Sequence, residues 1–338
     1  MSLAEETRSG LERYLREIWN EDVALGEVTF ASAGARRRNA LCCARRASGE
    51  EVELCATIIP VAAMQVLPIE IEASHLQLAE RAGLPVPHVY GVSTDESFLG
   101  GPFFVSSQVH GETIPRRILR LARDTPGLGD AVGEQMGEAL ARLHAVRAEE
   151  AHADISRPDG HDPIAGALER VGKQVAAMLH PSPTLALVHS WLSRNRPAAP
   201  ERLCVVHGDF RNGNVSIDAS GLTGVLDWEI CHLGDPVEDL AWVCQRMWRF
   251  RNDELEVGGL SGRDALRRGY ERAGGTWNEE TFFWWKVFGG LRWAVGLHDQ
   301  ARAHLDGSVP SVIMAASGRR VCELEYDLLR LLEDQLAG

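Results

Sequence analysis

The residues best suited to chemistry lie within one stretch of the chain, LCVVHGDFRNGNVSIDASGLTGVLDWE, residues 203–229. An apolar run leads into Asp209, and the loop that follows reaches Asn214 five positions later. Asp227 ends the next apolar run, LTGVLD. Carboxylate and amide oxygens suit magnesium, which binds a few protein oxygens together with nucleotide phosphates and water. Such a set favours phosphoryl transfer, in which the protein mainly aligns the nucleophile and neutralises charge.

A hairpin is predicted to bring these side chains together. The runs VSID and LTGVLD flank the short turn ASG, a pattern typical of two antiparallel strands. The chain then doubles back and returns Asp227 close to Asn214. We interpret these two residues as magnesium ligands and Asp209 as the group that orients an attacking hydroxyl. The pattern also allows a plain hairpin with solvated acidic side chains.

Different elements precede and surround this stretch. A leading helix, the strand-like runs EVTFAS, ALCCARR and EVELCATII, a helix over residues 69–82 and a final strand PFFVSSQV predict a small antiparallel sheet. From Thr113 onward, long helical segments predominate. We therefore predict an α+β fold with an N-terminal lobe over residues 1–110 and a larger, mainly helical C-terminal lobe over 111–338.

Composition narrows the class of protein further. The formal net charge of −13 argues against a nucleic-acid partner, which would require a clustered basic face. Seven cysteines without CxxC spacing are typical of reduced thiols in a cytoplasm. No segment approaches the length of a membrane span, and the N-terminus lacks the pattern of a secretion signal. A cytoplasmic protein without a membrane partner is expected, and the sequence indicates no oligomeric state.

The motifs HGDFRNGN and GVLDWEICHLGDPVEDLAW resemble the catalytic and metal-binding motifs of the aminoglycoside phosphotransferase family, in the same order and spacing. The pattern of DWE followed by LGDPxxDLAW is more narrowly similar to phosphotransferase domains related to those fused to acyl-CoA dehydrogenases. This resemblance implies a protein-kinase-like fold with two lobes. It also implies transfer of the γ-phosphoryl group of ATP or GTP, with Mg²⁺, to a hydroxyl of a small molecule.

The resemblance assigns a role to each motif residue. Asp209 would be the catalytic base, with Asn214 and Asp227 as metal ligands. Glu229 would be an acidic neighbour of the metal or its water, although it could equally be a surface carboxylate.

Three further motif residues would support the site. His207 would brace the catalytic loop, although a satisfied buried imidazole is the alternative. Asp235 and Asp239 resemble family positions that begin a helix and fix the loop through hydrogen bonds.

The nucleotide side matches the family less well. Kinase-like folds pair a strand lysine, which contacts the phosphates, with a helix glutamate. Glu72 falls where this glutamate is expected, or it is a solvent-facing helix residue. The matching strand reads VELCATII, and neither lysine nor arginine occurs between Arg46 and Arg81. The strand cation is therefore missing.

The loop SAGARRRN offers a replacement cation. Arg36, Arg37 or Arg38 could serve, although a solvated arginine loop is the alternative, and arginine presents a planar fork instead of a compact ammonium. Adenine is usually held where the lobes join, which corresponds here to Gln108 and Val109.

The acceptor side is expected among the C-terminal helices. These carry several large aromatic and polar residues that either line a pocket or fill the core: Trp242, Trp248, Trp284, Trp285, Arg292, Trp293, His298 and Asp299.

Two other functions remain open. A kinase-like binding protein with weak or no transfer activity would follow from the absent strand lysine, and a metal-dependent hydrolase would use the same acidic cluster.

Overall fold

The computed structural model describes residues 2–31, 37–60, 66–158 and 162–336. Two compact units emerge from the contacts within the chain. The first, here called the sheet unit, comprises Met1–Ile118, Glu149–Ile155 and Gly213–Cys231. The second, the helical unit, comprises Leu119–Ala148, Ser156–Asn212 and His232–Gly338. Residues 213–231 thus group with the sheet, whereas we had assigned them to the C-terminal lobe. The lobe boundary near residue 110 stays a prediction.

The sheet unit begins with a helix followed by an antiparallel sheet, as the sequence predicted. Its elements are α1 (Leu3–Trp19), β1 (Val23–Leu25), β2 (Thr29–Phe30), β3 (Arg38–Arg46), β4 (Glu51–Ile58), α2 (Ile69–Arg81), β5 (Val89–Ser93), α3 (Glu96–Leu99) and β6 (Phe103–Ser107). The six-stranded sheet has the order β1-β3-β4-β6-β5, with β2 also paired to β3. All of these strand pairs are antiparallel.

Alternation along the two central strands creates the core of this unit. Ala40 and Cys42 on β3, and Leu54 and Ala56 on β4, point to one face and are buried in the cluster that includes Leu11 of α1. Because side chains alternate along a strand, the residues between them lie on the opposite face. The predicted helix over 69–82 is observed as α2, with Ala82 at its C-terminal cap.

The remaining elements are mostly helices. They are α4 (Pro115–Asp124), α5 (Leu128–Ala145), α6 (Pro163–Ala176), α7 (Pro183–Arg194), β7 (Cys204–Val206), β8 (Val215–Asp218), β9 (Gly221–Val225), β10 (His232–Gly234), α8 (Val237–Val243), α9 (Arg263–Arg272), α10 (Glu279–Leu305), α11 (Val312–Ser317) and α12 (Val321–Leu336). Strand β7 pairs with β10 in the helical unit, and β8 pairs with β9 in the sheet unit. Within the described ranges, no helix is both long enough and apolar enough to cross a membrane.

Two glycines let helices α5 and α9 approach closely. A Cβ atom at Gly137 would lie 2.1 Å from a backbone carbonyl oxygen of α9, and one at Gly269 would lie 1.9 Å from a carbonyl oxygen of α5. Since packed interiors leave no room for such overlaps, larger residues would push the helices apart. The close packing places His144 of α5 3.0 Å from the hydroxyl of Tyr270 on α9.

Candidate active site

The hairpin predicted from the sequence is confirmed in the sheet unit. Strands β8 and β9 are antiparallel, with Val215 opposite Val225. One step further, the Leu226 N–H donates to the carbonyl oxygen of Asn214 at 2.8 Å. Asn214 and Asp227 therefore stand on neighbouring chain segments at the same end of the hairpin.

Asp227 has an unusual backbone conformation. Its φ is +66°, in the left-handed region that residues other than glycine adopt with difficulty, although aspartate tolerates it better than most. The next residue, Trp228, is fully buried, and its indole Nε1 donates to the carbonyl oxygen of Val225 at 3.2 Å. The buried indole thus fixes the turn that leaves the Asp227 side chain exposed.

The hairpin end suits a magnesium ion that also binds nucleotide phosphates. Asn214 is buried and Asp227 is exposed, so one oxygen ligand would be fixed and the other accessible. Among the described residues, no group of three or more histidine, cysteine, aspartate or glutamate side chains could hold a metal. Magnesium in nucleotide sites needs only one or two protein carboxylates, because phosphates and water complete the shell. The donor set therefore fits such a site.

Arg37 lies beside Glu72 in the same unit. The guanidinium Nη1 donates to Oε1 of Glu72 at 2.7 Å and Nη2 donates to Oε2 at 2.9 Å. Nη2 also lies 3.1 Å from Oε2 of Glu229. The side-chain exposures are 15% for Arg37, 2% for Glu72 and 25% for Glu229, so the bidentate pair is largely withdrawn from water.

The surrounding carboxylates keep the guanidinium charged. Burial acts to lower the pKa of Arg37, but the hydrogen bonds and charge of Glu72, with the charges of Glu229 and Asp227, raise it overall. Burial raises the pKa of the Glu72 carboxyl, and Arg37 opposes that rise. One cation therefore faces three carboxylates in this part of the unit.

The other two loop arginines differ from Arg37. Arg38 begins β3, and its Nη2 donates to the carbonyl oxygen of Leu99 at 3.5 Å, so it contacts a different part of the unit. Arg36 lies outside the described residues. Arg37 is therefore the loop arginine that the structure places against Glu72.

Gln108 and Val109 have structural contacts. The side-chain amide of Gln108 donates to the carbonyl oxygens of Cys42 and Leu54 at 3.2 and 3.0 Å, which ties β3 to β4. The Val109 side chain packs against Gly224, where a Cβ atom would lie only 2.5 Å from Val109 Cγ1. Their contribution to adenine binding stays a prediction.

In the helical unit, Asp239 holds the loop that carries Asp209. The fully buried Asp239 carboxylate accepts from the His207 N–H at 2.8 Å and from the Gly208 N–H at 2.9 Å. His144 Nε2 lies 3.2 Å from the same carboxylate. Burial opposes ionisation, yet His144, His207 and these hydrogen bonds lower the pKa of Asp239 overall. The loop is thus fastened through its backbone.

Neighbouring groups orient the Asp209 carboxylate. The indole Nε1 of Trp242 donates to Oδ1 at 2.7 Å, and Arg211 Nε lies 3.0 and 3.1 Å from the two oxygens. The Asp209 N–H donates to His207 Nδ1 at 3.2 Å. Arg292 donates to the carbonyl oxygen of Gly208 at 3.0 Å. Sequence reasoning assigned no role in this loop to Trp242, Arg211 or Arg292.

Asp235 stands at the start of α8. Its carboxylate accepts from the Val237 N–H and from Trp285 Nε1, each at 2.9 Å. Burial raises the pKa of Asp235, although both hydrogen bonds oppose the rise. The side chain therefore links the beginning of one helix to the interior of α10.

Most of the tryptophans considered for an acceptor pocket are core residues. Trp242, Trp248, Trp284 and Trp285 are all buried. The partly exposed His298 contacts Asp299 and accepts from the Leu179 N–H. A cavity of about 400 Å³ also lies in this unit, lined by residues of the segment 245–256 and of helices α10 and α12. Its size is sufficient for a small molecule.

The predicted site residues divide between the two units. Asn214, Asp227, Glu229, Arg37 and Glu72 belong to the sheet unit, where the structure brings them together. His207, Asp209, Asp235 and Asp239 belong to the helical unit. The convergence of Asp209 with Asn214 and Asp227 stays a prediction.

An antiparallel sheet with an arginine–glutamate pair and helices around an HGD loop define a protein-kinase-like fold of the α+β class. Two solved structures share this fold. One, from Ralstonia eutropha and provisionally described as an aminoglycoside phosphotransferase, has a TM-score of 0.72 at 21% identity and covers 96% of this chain and 98% of its own. The other, aminoglycoside phosphotransferase APH(4)-Ia with AMP-PNP and hygromycin B, has a TM-score of 0.64 at 17% identity, with coverages of 96% and 98%.

Residues 44–281, more than half of the chain, match the phosphotransferase enzyme family, APH. The chain belongs to this family, and the resemblance inferred from its motifs is confirmed. Acyl-CoA dehydrogenase family member 10 of Mus musculus is 31% identical over 183 residues. That alignment covers 52% of this chain and 16% of the relative, so the chain matches only a small part of that longer protein.

Proposed function

We propose that this phosphotransferase transfers the γ-phosphoryl group of ATP or GTP to a hydroxyl of a small molecule, with Mg²⁺. The ion pair between Arg37 and Glu72 carries the proposal. It provides the cation that the strand VELCATII lacks, paired with the helix glutamate. The main argument for a kinase-like binding protein without transfer was the absence of that cation.

Asp209 is assigned to the acceptor hydroxyl. A carboxylate that orients the hydroxyl and accepts its proton needs a fixed rotamer, since small misplacements of reacting groups slow the reaction strongly. The contacts with Trp242 and Arg211 supply that restraint, and Asp239 fixes the backbone on either side of Gly208. His207 and Asp235 then act as structural support.

Asn214 and Asp227 are assigned to the metal. Magnesium, when bound with the nucleotide, neutralises charge on the phosphates and fixes their position. The amide of Asn214 and the carboxylate of Asp227 would hold it, with Glu229 beside it or its water. Arg37 is assigned to the phosphates, and the chain at Gln108 and Val109 to adenine.

The acceptor is proposed to be a small molecule held by the helical unit. One structural neighbour carries hygromycin B, and this observation concerns that protein alone. Here, the aromatic wealth of the helical unit lies mainly in its core, so it does not identify a substrate. We propose a cytoplasmic location, which agrees with the free cysteines of the described residues.

Calorimetric titration with ATP and with GTP, with and without Mg²⁺, tests the nucleotide assignment. Wild-type protein should bind at least one of them in a magnesium-dependent way. Asp209→Asn should bind equally well but lose turnover with an acceptor, whereas Asp227→Ala should lose the magnesium-dependent binding. If neither nucleotide binds, the binding-protein alternative gains and transfer is contradicted.

Release of ADP or GDP, measured with and without candidate hydroxyl compounds, separates transfer from hydrolysis. Transfer requires product release that depends on the acceptor, together with a phosphorylated acceptor detected by mass spectrometry. Equal release in the absence of any acceptor, with inorganic phosphate as the product, would support the hydrolase instead.

A further inference from the structure

One terminal nitrogen of Arg37 is shared by two carboxylates. Nη2 donates to Glu72 at 2.9 Å and lies 3.1 Å from Glu229, while Nη1 donates to Glu72 at 2.7 Å. A guanidinium has two hydrogens on each terminal nitrogen, and the bidentate pair with Glu72 uses one from each. Glu229 is therefore positioned to use the second hydrogen of Nη2, on the edge that a phosphate oxygen would otherwise take.

The two carboxylates are not equally replaceable. Glu72 is buried on helix α2, so separation from Arg37 would leave an uncompensated charge out of water, which is strongly unfavourable. Glu229 is one quarter exposed and lies in the turn after β9. It can exchange one partner for another at much lower cost, because water remains within reach.

The local charge determines which nucleotide form is compatible with this arrangement. Glu72, Asp227 and Glu229 all act on the single guanidinium of Arg37. A nucleotide without a metal ion adds further negative charge to this excess, and Glu229 competes with it for Arg37. A nucleotide with its magnesium ion brings positive charge next to Asp227, two residues from Glu229.

We propose that Glu229 is a positioning residue that restrains Arg37 in the nucleotide-free protein and makes nucleotide binding conditional on magnesium. Binding of the metal–nucleotide complex gives the Glu229 carboxylate a second partner, and Nη2 of Arg37 then becomes available to a phosphate. The inference rests on the proposed nucleotide function. It assigns to Glu229 a selectivity between metal-bound and metal-free nucleotide that a metal ligand alone would not provide.

The test measures dissociation constants for a fluorescent ATP analogue in EDTA and in excess Mg²⁺, for wild type and Glu229→Gln. In EDTA, Glu229→Gln should bind about fivefold to tenfold more tightly than wild type, because a competing charge has been removed. In Mg²⁺, its affinity should be unchanged or weaker. The ratio between the two conditions should therefore fall by about tenfold.

Two further variants provide the controls. Glu51→Gln removes a carboxylate from an exposed pair with Arg45 in the same unit and should leave both constants unchanged. In an Arg37→Ala background, Glu229→Gln should no longer tighten binding in EDTA by the same factor, because the competition between Glu229 and phosphate has lost its object. Circular dichroism and thermal melts confirm that each variant is folded.

The outcomes separate the inference from the function on which it rests. If wild type binds the magnesium complex and Glu229→Gln binds metal-free nucleotide no better than wild type, the inference is overturned while the proposed function stands. The same holds if Glu229→Gln only weakens binding of the magnesium complex, since Glu229 would then be a neighbour of the metal alone. If wild type binds neither form, the nucleotide function itself is contradicted.

Discussion

The indole of Trp242 and the carboxylate of Asp209 are joined by a 2.7 Å hydrogen bond between Nε1 and Oδ1. Trp242 lies on α8 and is nearly fully buried, so its donor has little freedom to move. The bond therefore restrains the carboxylate from one side while Arg211 Nε contacts both of its oxygens.

Trp242→Phe should reduce turnover and leave nucleotide binding intact. Phenylalanine retains much of the apolar volume but removes the donor, so Asp209 is oriented less well. A loss of about tenfold in kcat is expected, the equivalent of about 1.4 kcal/mol, with little change in the nucleotide dissociation constant. Trp277→Phe is the matched control, because its indole donates to an exposed carboxylate of Glu279. A fall in nucleotide affinity as large as the fall in kcat would contradict the positioning role.

Arg37→Ala should affect both stability and binding. It leaves the Glu72 carboxylate buried without its cation, and removal of one partner of a buried pair typically costs about 3–5 kcal/mol. It also removes the cation proposed to hold the phosphates. The free energy of unfolding from denaturant titration and the affinity for the magnesium–nucleotide complex should both fall, whereas Arg45→Ala at the exposed pair with Glu51 should change neither by much.

The double variant Arg37→Met with Glu72→Met separates these two effects. Replacing both charges by apolar side chains restores compatibility with the buried environment, so the unfolding free energy should return close to the wild-type value. Nucleotide binding should not return. If the double variant binds nucleotide as tightly as wild type, Arg37 is not the phosphate cation.

Much of the sheet unit could be predicted because its signals are local. The alternation along β3 and β4 and the ASG turn between β8 and β9 are readable within a few residues. The choice of Arg37 over its neighbours was not readable, because a loop has no periodicity that assigns each side chain to a face. Only the position of Glu72 in three dimensions identifies the partner.

The support around Asp239 was predicted in part. Its sequence motif indicated that it would fix the loop, but His144 lies 95 residues away in the chain and Tyr270 lies 126 residues from His144. These three groups meet because glycines let α5 and α9 pack closely. Such contacts depend on helix packing, which a single sequence does not specify.

Asp239→Asn should reveal that network through the pH dependence of stability. The pKa of Asp239 is lower in the folded protein than its ordinary value, so its ionised form stabilises the fold above the unfolded pKa of about 4, and this stability is lost as the pH falls through the folded pKa. The deficit of Asp239→Asn in urea unfolding should be about 2–4 kcal/mol near pH 7 and should shrink below about pH 4.

Asp235→Asn provides the contrast on the same helix. Burial raises the pKa of Asp235 in the folded protein, so the folded state retains its proton to higher pH than the unfolded state. The contribution of Asp235 to stability therefore grows as the pH falls toward its folded pKa, and the deficit of Asp235→Asn should not shrink on acidification from pH 7. Parallel curves for the two variants would contradict the opposite signs of their shifts.

Asp227 should show a separation between backbone strain and metal binding. With φ at +66°, a residue without a polar side chain is strained, whereas glycine adopts this conformation without steric cost. Asp227→Gly should therefore be more stable than Asp227→Ala by about 1 kcal/mol, although both variants lose the carboxylate and with it magnesium-dependent nucleotide binding. Denaturant unfolding and calorimetric titration measure the two effects. At Asp218, in strand β8, the order should reverse, because glycine weakens a regular strand relative to alanine. If alanine and glycine are equally stable at position 227, the left-handed conformation contributes no strain there.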